Sequence, residues 1–114
     1  MKQITLNLGG KYRLCHFGFG FIGNLLDAYK ISYTDFDKER NSNPFKWMPI
    51  MIFHSMEYAL LREDKEVDFT LKNVIEWIDE TDLETLIKFR QSFDLSLTKD
   101  VPAQPEVKKK VTKK

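Results

Sequence analysis

Residues 44–62, PFKWMPIMIFHSMEYALLR, bring apolar side chains to nearly the whole circumference of a helix, and this constrains the fold more than any other feature. Asn43 is suited to cap that helix, and Pro44 suits its first position, where a missing N–H costs nothing. Pro49 falls in the second turn and either kinks the helix or marks its true beginning. One stripe holds Phe45, Met48, Ile52, Met56 and Leu60; another holds Trp47, Met51, Tyr58 and Leu61. A helix apolar all round is either central to the fold or half-buried, with a partner over its other side. Met48, Met51 and Met56 all lie on it, and methionine-rich faces adapt to irregular partners. If the first stripe packs inward, Trp47, Met51, Tyr58 and Leu61 remain as a partner-binding face.

The segments around this helix supply the rest of an α+β fold. Ile4, Leu6 and Leu8 alternate with polar residues, as do Tyr12 and Leu14, with Gly9-Gly10 between them, which spells an antiparallel β-hairpin. A two-residue loop would set Leu6 opposite Arg13. A three-residue loop, Leu8-Gly9-Gly10, sets Leu6 opposite Tyr12 and Ile4 opposite Leu14, keeping like with like, and that register is expected. Residues 17–30 have helical apolar spacing at 17, 21, 22, 25, 26 and 29, surest from Ile22 to Tyr29. Residues 31–43 are polar and are expected to connect, with at most a helical turn near Asp35. Thr70 suits the cap of a short helix through Leu71, Val74, Ile75 and Ile78. Thr81 and Glu84 have the spacing of a capping box before a last helix carrying Leu83, Leu86, Ile87, Phe89 and Phe93. The expectation is a hairpin followed by about four helices in one domain over residues 1–97. Residues 98–114 have two prolines, no aromatic and no periodicity, which is the composition of a disordered tail.

A chain of 114 residues with nine Phe, four Tyr and two Trp can build one core without disulfides or metals. Its lone cysteine, Cys15, rules out an internal disulfide, and the alternating start does not read as a signal peptide; both point to the cytosol. No apolar run is long enough to span a bilayer, so no membrane is expected as a partner. The net charge of +1 divides unevenly. Residues 100–114 hold five lysines against Asp100 and Glu106, giving +3, and the other 99 residues sum to −2. An acidic body argues against nucleic acid as a partner; the alternative, a small nucleic-acid-associated regulator, would rely on the lysine tail.

Gly18-Phe19-Gly20-Phe21-Ile22-Gly23 is a literal G-x-G-x-x-G. A dinucleotide site needs a buried parallel strand before it, whereas KYRLCH is half polar and hairpin-like. The glycines are therefore read as letting a helix start close to the hairpin. Cys15 and His16, adjacent on a strand, point to opposite faces, and with His54 they fall short of a metal set. The carboxylates sit in charged turns such as Glu63-Asp64 and Asp79-Glu80. No catalytic, cofactor or metal residue is assigned, and no enzyme activity is expected.

Three phrases, KYRLCHFGFGFIGNLL, NPFKWMPIMIFHSMEYAL and DFTLKNVIEWIDE, occur in an order that resembles the tail assembly chaperones of long-tailed bacteriophages, across roughly residues 3–97. The resemblance implies a non-enzymatic factor of the infected host's cytoplasm, absent from the mature virion. It implies binding that keeps the tape measure protein soluble and helps recruit tail tube subunits; separately, the left-over stripe of the 44–62 helix leaves a homo-oligomer open as another cover for it. Family members are also made in a longer, frameshifted form, and the Lys108-Lys109-Lys110 run is what an A-rich slippery stretch would encode.

Overall fold

A computed structural model describes residues 2–100 of the chain, with side chains through Leu97. Two antiparallel strands, β1 (Gln3–Leu8) and β2 (Lys11–His16), precede five helices. These are α1 (Phe19–Tyr29), α2 (Tyr33–Ser42), α3 (Pro44–Arg62), α4 (Leu71–Asp79) and α5 (Leu83–Asp100). The class is α+β, as expected. Of the disordered tail expected over residues 98–114, residues 98–100 instead belong to the end of α5, and the rest lies outside the described residues.

The hairpin corrects the expected register. Leu6 pairs with Arg13, Ile4 with Cys15 and Leu8 with Lys11, so the loop is Gly9-Gly10 alone. Both glycines have positive φ, 62° and 83°, which a two-residue primed turn requires and other residues resist. Arg13 is tolerated beside Leu6 because its guanidinium lies 3.8 Å over the Trp77 ring, while its Nε–H donates to the Leu8 carbonyl at 2.8 Å. An arginine so stacked covers apolar surface with its stem. Burial of that stem pulls the Arg13 pKa below its usual value, against a weaker opposing pull from Asp68.

α3 is central, packing against β2, α1, α2 and α4. Pro44 occupies its first turn, and Pro49 lies inside it without ending it. The helix stops at Glu63 and Asp64, where Asp64 takes a left-handed φ of 57° and Lys65 N–H closes on the Leu60 carbonyl at 3.0 Å. The core is largely aromatic. Phe17 meets Phe21, Phe89 and Phe93 edge to face at 5.5–5.7 Å, and Phe36 bridges Phe93 and Trp47. Such pairs add about 0.5–1.5 kcal/mol each beyond area burial. Cys15 is fully buried within this core; desolvation pushes its thiol up to about 12, outweighing a hydrogen bond with Ser55.

Three helix readings are also revised. α1 begins at Phe19, three residues before the part that looked surest. The supposed polar connection contains a complete helix, α2, capped by Ser32, whose hydroxyl accepts from Asp35 N–H at 3.1 Å. It is held to the core by Phe36. The cap of α5 is Asp82, not Thr81. The Asp82 carboxylate accepts from Thr85 N–H at 2.9 Å and from Thr85 Oγ1 at 2.6 Å. A reciprocal capping box forms at α4, between Thr70 and Asn73.

Candidate functional site

Burial on α3 cuts across the expected sorting into two stripes. Trp47 is 2% exposed and Met51 4%, so neither can present a face to a partner. The cover over Trp47 is α2: Phe36 stacks edge-on to Trp47 at 5.5 Å, and Glu39 accepts from Trp47 Nε1–H at 3.0 Å. Tyr58 is half-buried, its ring against His16 at 5.5 Å, and Leu61 is half-exposed at the far end of the helix. The four residues expected to form one face are thus divided between the core and a separate edge. From the opposite stripe, Ile52 and Met56 are buried as expected, while Phe45 stands 93% exposed.

Phe45 is one wall of an apolar groove of about 430 Å³ between the start of α3, the outer face of α4 and the first half of α5. Met48 and Leu86, half-buried, line it deeply; Ile75, Leu83 and Ile87 line it openly, Leu83 at 70% exposure. These positions follow from helical spacing. On α5, Phe89 and Phe93 face inward, so Leu83 and Ile87 fall on a neighbouring stripe. On α4, Val74 is buried and Ile75, one residue on, is turned out. Sequence reading gave Leu83 and Ile87 to the last helix with Leu86, Phe89 and Phe93 and did not sort them by face. The signal that α5 carries a second apolar stripe was the same one that α3 displayed.

The polar members of the groove are Asp79 and Arg90. Arg90 donates through Nη2 to Asn41 Oδ1 at 2.9 Å and stands 3.9 Å from Asp94. Arg40, on α2, pairs with Asp37 at 2.9 Å and Asp94 at 3.3 Å, buttressing that side. Asp79 has no ion pair among the described residues. A second hollow, of about 500 Å³, lies between β2 and the loop after α3. Its lining mixes Lys11, Arg13 and Lys65 with Glu63, Glu66 and Asp68, three charges of each sign, with Lys65 paired to Glu63 at 2.9 Å.

The three glycines of the motif have different surroundings. Gly18 caps α1 with a φ of 122°, and Gly20 abuts Tyr58 so closely that a β-carbon would strike the ring. Gly23 faces open space. Among the described residues, no three His, Cys, Asp or Glu side chains come together as a metal set, and no helix is long and apolar enough to cross a membrane. His54, buried, has Nδ1 2.9 Å from Glu57 and Nε2 3.4 Å from the Tyr29 hydroxyl, a polar contact that fastens α1 to α3.

Comparison with protein-family models, curated proteins and solved structures finds no match to this chain.

Proposed function

We propose that this protein is a non-enzymatic binding module that seats an amphipathic helix in the groove between α3, α4 and α5. We further propose that its partner is the tape measure protein of a long-tailed phage, which it holds soluble during tail assembly while helping to recruit tail tube subunits. The observation that carries the binding reading is the convergence of four exposed apolar side chains, Phe45, Ile75, Leu83 and Ile87, on one concave surface. Scattered exposed hydrophobics are ordinary, whereas a contiguous rimmed patch marks an interaction site. Apolar side chains from three helices also suit a helix-in-groove mode, read through partner residues at i, i+3, i+4 and i+7. Burying these four gains roughly 5 kcal/mol, given their exposure and about 2 kcal/mol per side chain fully buried. The partner's identity rests on the resemblance to tail assembly chaperones.

Fluorescence anisotropy with amphipathic tape-measure peptides of about 20 residues, some 30 Å of helix, tests the surface. Leu83→Asp and Ile87→Asp lie at exposed positions and should keep the fold, with unchanged far-ultraviolet circular dichroism. Each should weaken peptide binding at least ~10-fold, equivalent to ~1.4 kcal/mol. Unchanged affinity in both variants sinks the groove.

A further inference from the structure

Four consecutive residues of β2, Lys11 to Leu14, line the hollow of about 500 Å³ beside the loop after α3. Successive side chains of a strand point to opposite faces, so a hollow over one face would meet every second residue. One that meets all four lies along the edge of the strand. β1 holds the opposite edge, and no third strand stands among the described residues. The phase of the ladder says which backbone groups are left over. Across the tight Gly9-Gly10 turn Leu8 and Lys11 exchange hydrogen bonds, and so do Leu6 with Arg13 and Ile4 with Cys15. The bond from Phe17 N–H to the Lys2 carbonyl, 2.6 Å, continues the same alternation one rung on. The N–H and C=O groups of Tyr12 and Leu14 therefore point outward, and they have no hydrogen-bond partner among the described residues.

We propose that this edge takes an extended, uncharged segment of a partner chain as a third strand, with one apolar side chain set into the hollow. Outward donors and acceptors at every second residue are matched by a strand and not by a helix, whose backbone groups are bonded internally. The floor decides the side chain. Arg13 and Cys15 share one face of the hairpin; the Arg13 guanidinium lies 5.8 Å from the centre of the Phe69 ring, and the Cys15 thiol is hydrogen-bonded with Ser55 of α3. The residue opposite Arg13 on an added strand points to that same face, where Met56, Ala59, Leu60 and Phe69 form an apolar floor. Its two neighbours, opposite Tyr12 and Leu14, make the backbone bonds and point to the exposed face. Three charges of each sign line the hollow, so it offers no net attraction to a charged segment. The run is short. At His16 the Tyr58 ring lies against the strand, which leaves Lys11 to Leu14, about 13 Å at ~3.3 Å per residue. The site shares no residue with the groove between α3, α4 and α5 and does not depend on it.

The test titrates the full chain with an uncharged peptide, acetyl-Ser-Thr-Val-Thr-Gly-amide, and two twins, one N-methylated at both threonines and one at the valine. With the valine over the floor, the threonine N–H groups face β2 and the valine N–H faces away. Methylating the threonines should abolish binding, and methylating the valine should preserve it. With the parent peptide at ten times its dissociation constant, amide exchange at Tyr12 and Leu14 should slow about tenfold by mass action. Exchange at Lys11 and Arg13, already bonded across the hairpin, should change little. Binding should persist at ~0.5 M salt, where the screening length is a few ångströms. Tyr12→Pro removes one outward donor at an edge position that accommodates proline, and should weaken binding about two- to tenfold. Should that variant fail to fold, the methylated twins decide alone. Equal affinity of the threonine-methylated twin or of a folded Tyr12→Pro protein overturns the proposal. So does exchange at Tyr12 and Leu14 that millimolar peptide leaves unmoved, or binding that fades with salt. Protection of those two amides that needs no peptide and grows with protein concentration means that a second copy holds the edge, and overturns it as well.

Discussion

Gly20 and Gly23 lie three residues apart on α1, and the same substitution should have opposite signs at the two. At Gly23 a β-carbon meets nothing, so Gly23→Ala should stabilise the protein by about 0.5–1 kcal/mol through helix propensity alone. At Gly20 a β-carbon would strike Tyr58, whose ring is held between His16 and Arg62. Overpacking of that kind costs about 1–3 kcal/mol and outweighs the propensity gain. Gly20→Ala should therefore lose about 1 kcal/mol in urea denaturation. A Gly20→Ala protein as stable as Gly23→Ala would mean that the glycines serve something other than packing. A packing role was read for all of them from the antiparallel hairpin before them, but close contact falls on Gly20 and not on Gly23, and that was not legible because Tyr58 lies 38 positions further on. The hairpin register was missed for a similar reason. Matching apolar with apolar treats Arg13 as a bare charge, and its proper partner, Trp77, is distant in sequence.

At the scale of elements, Thr70 was read correctly as a cap, the cap of α5 was placed one residue early, and Asn43 precedes α3 without a side-chain cap bond. Thr81 and Asp82 are both good caps, and only backbone geometry chooses between them. Asp82→Ala should lower the thermal midpoint, while Thr81→Ala should leave it nearly unchanged; the reverse order would restore the Thr81 capping box. Hydrogen bonds from the Thr85 side chain, and then its backbone, hold the Asp82 carboxyl below its ordinary value of 3.8. A depressed carboxyl contributes stability above that ordinary value and loses it as pH falls through the folded one. The difference between wild type and Asp82→Ala should thus shrink once the pH is well below 3.8. α2 escaped sequence reading because Phe36 is the sole fully buried residue in ten, so it shows no apolar period. That omission had a consequence one level up, since α2 is the cover over Trp47.

For the molecule as a whole, the central place of α3 was legible in its all-round apolarity, but the direction in which it faces was not. Two stripes of equal quality leave the orientation to whichever neighbours exist, and one neighbour was unseen. The two stripes now make a contrast that separates folding from binding. Met51→Asp places an unpaired charge at a site 4% exposed and should unfold the protein, a loss above ~4 kcal/mol. Phe45→Asp acts in the other direction. Phe45 is 93% exposed and lies in the first turn of α3, a turn that contains no acidic residue. A carboxylate there faces the positive end of the helix dipole and contributes about 0.3–1 kcal/mol. The variant should melt at or slightly above the wild-type midpoint. It should also lose one wall of the groove and no longer keep a co-expressed tape measure protein in the soluble fraction. Thermal melting and a sedimentation assay on the same two variants decide the matter. If Phe45→Asp melts at or above wild type and still holds that partner in solution, the groove is not where it binds. If Met51→Asp remains folded, α2 does not close over α3 and the open face returns to Trp47 and Met51.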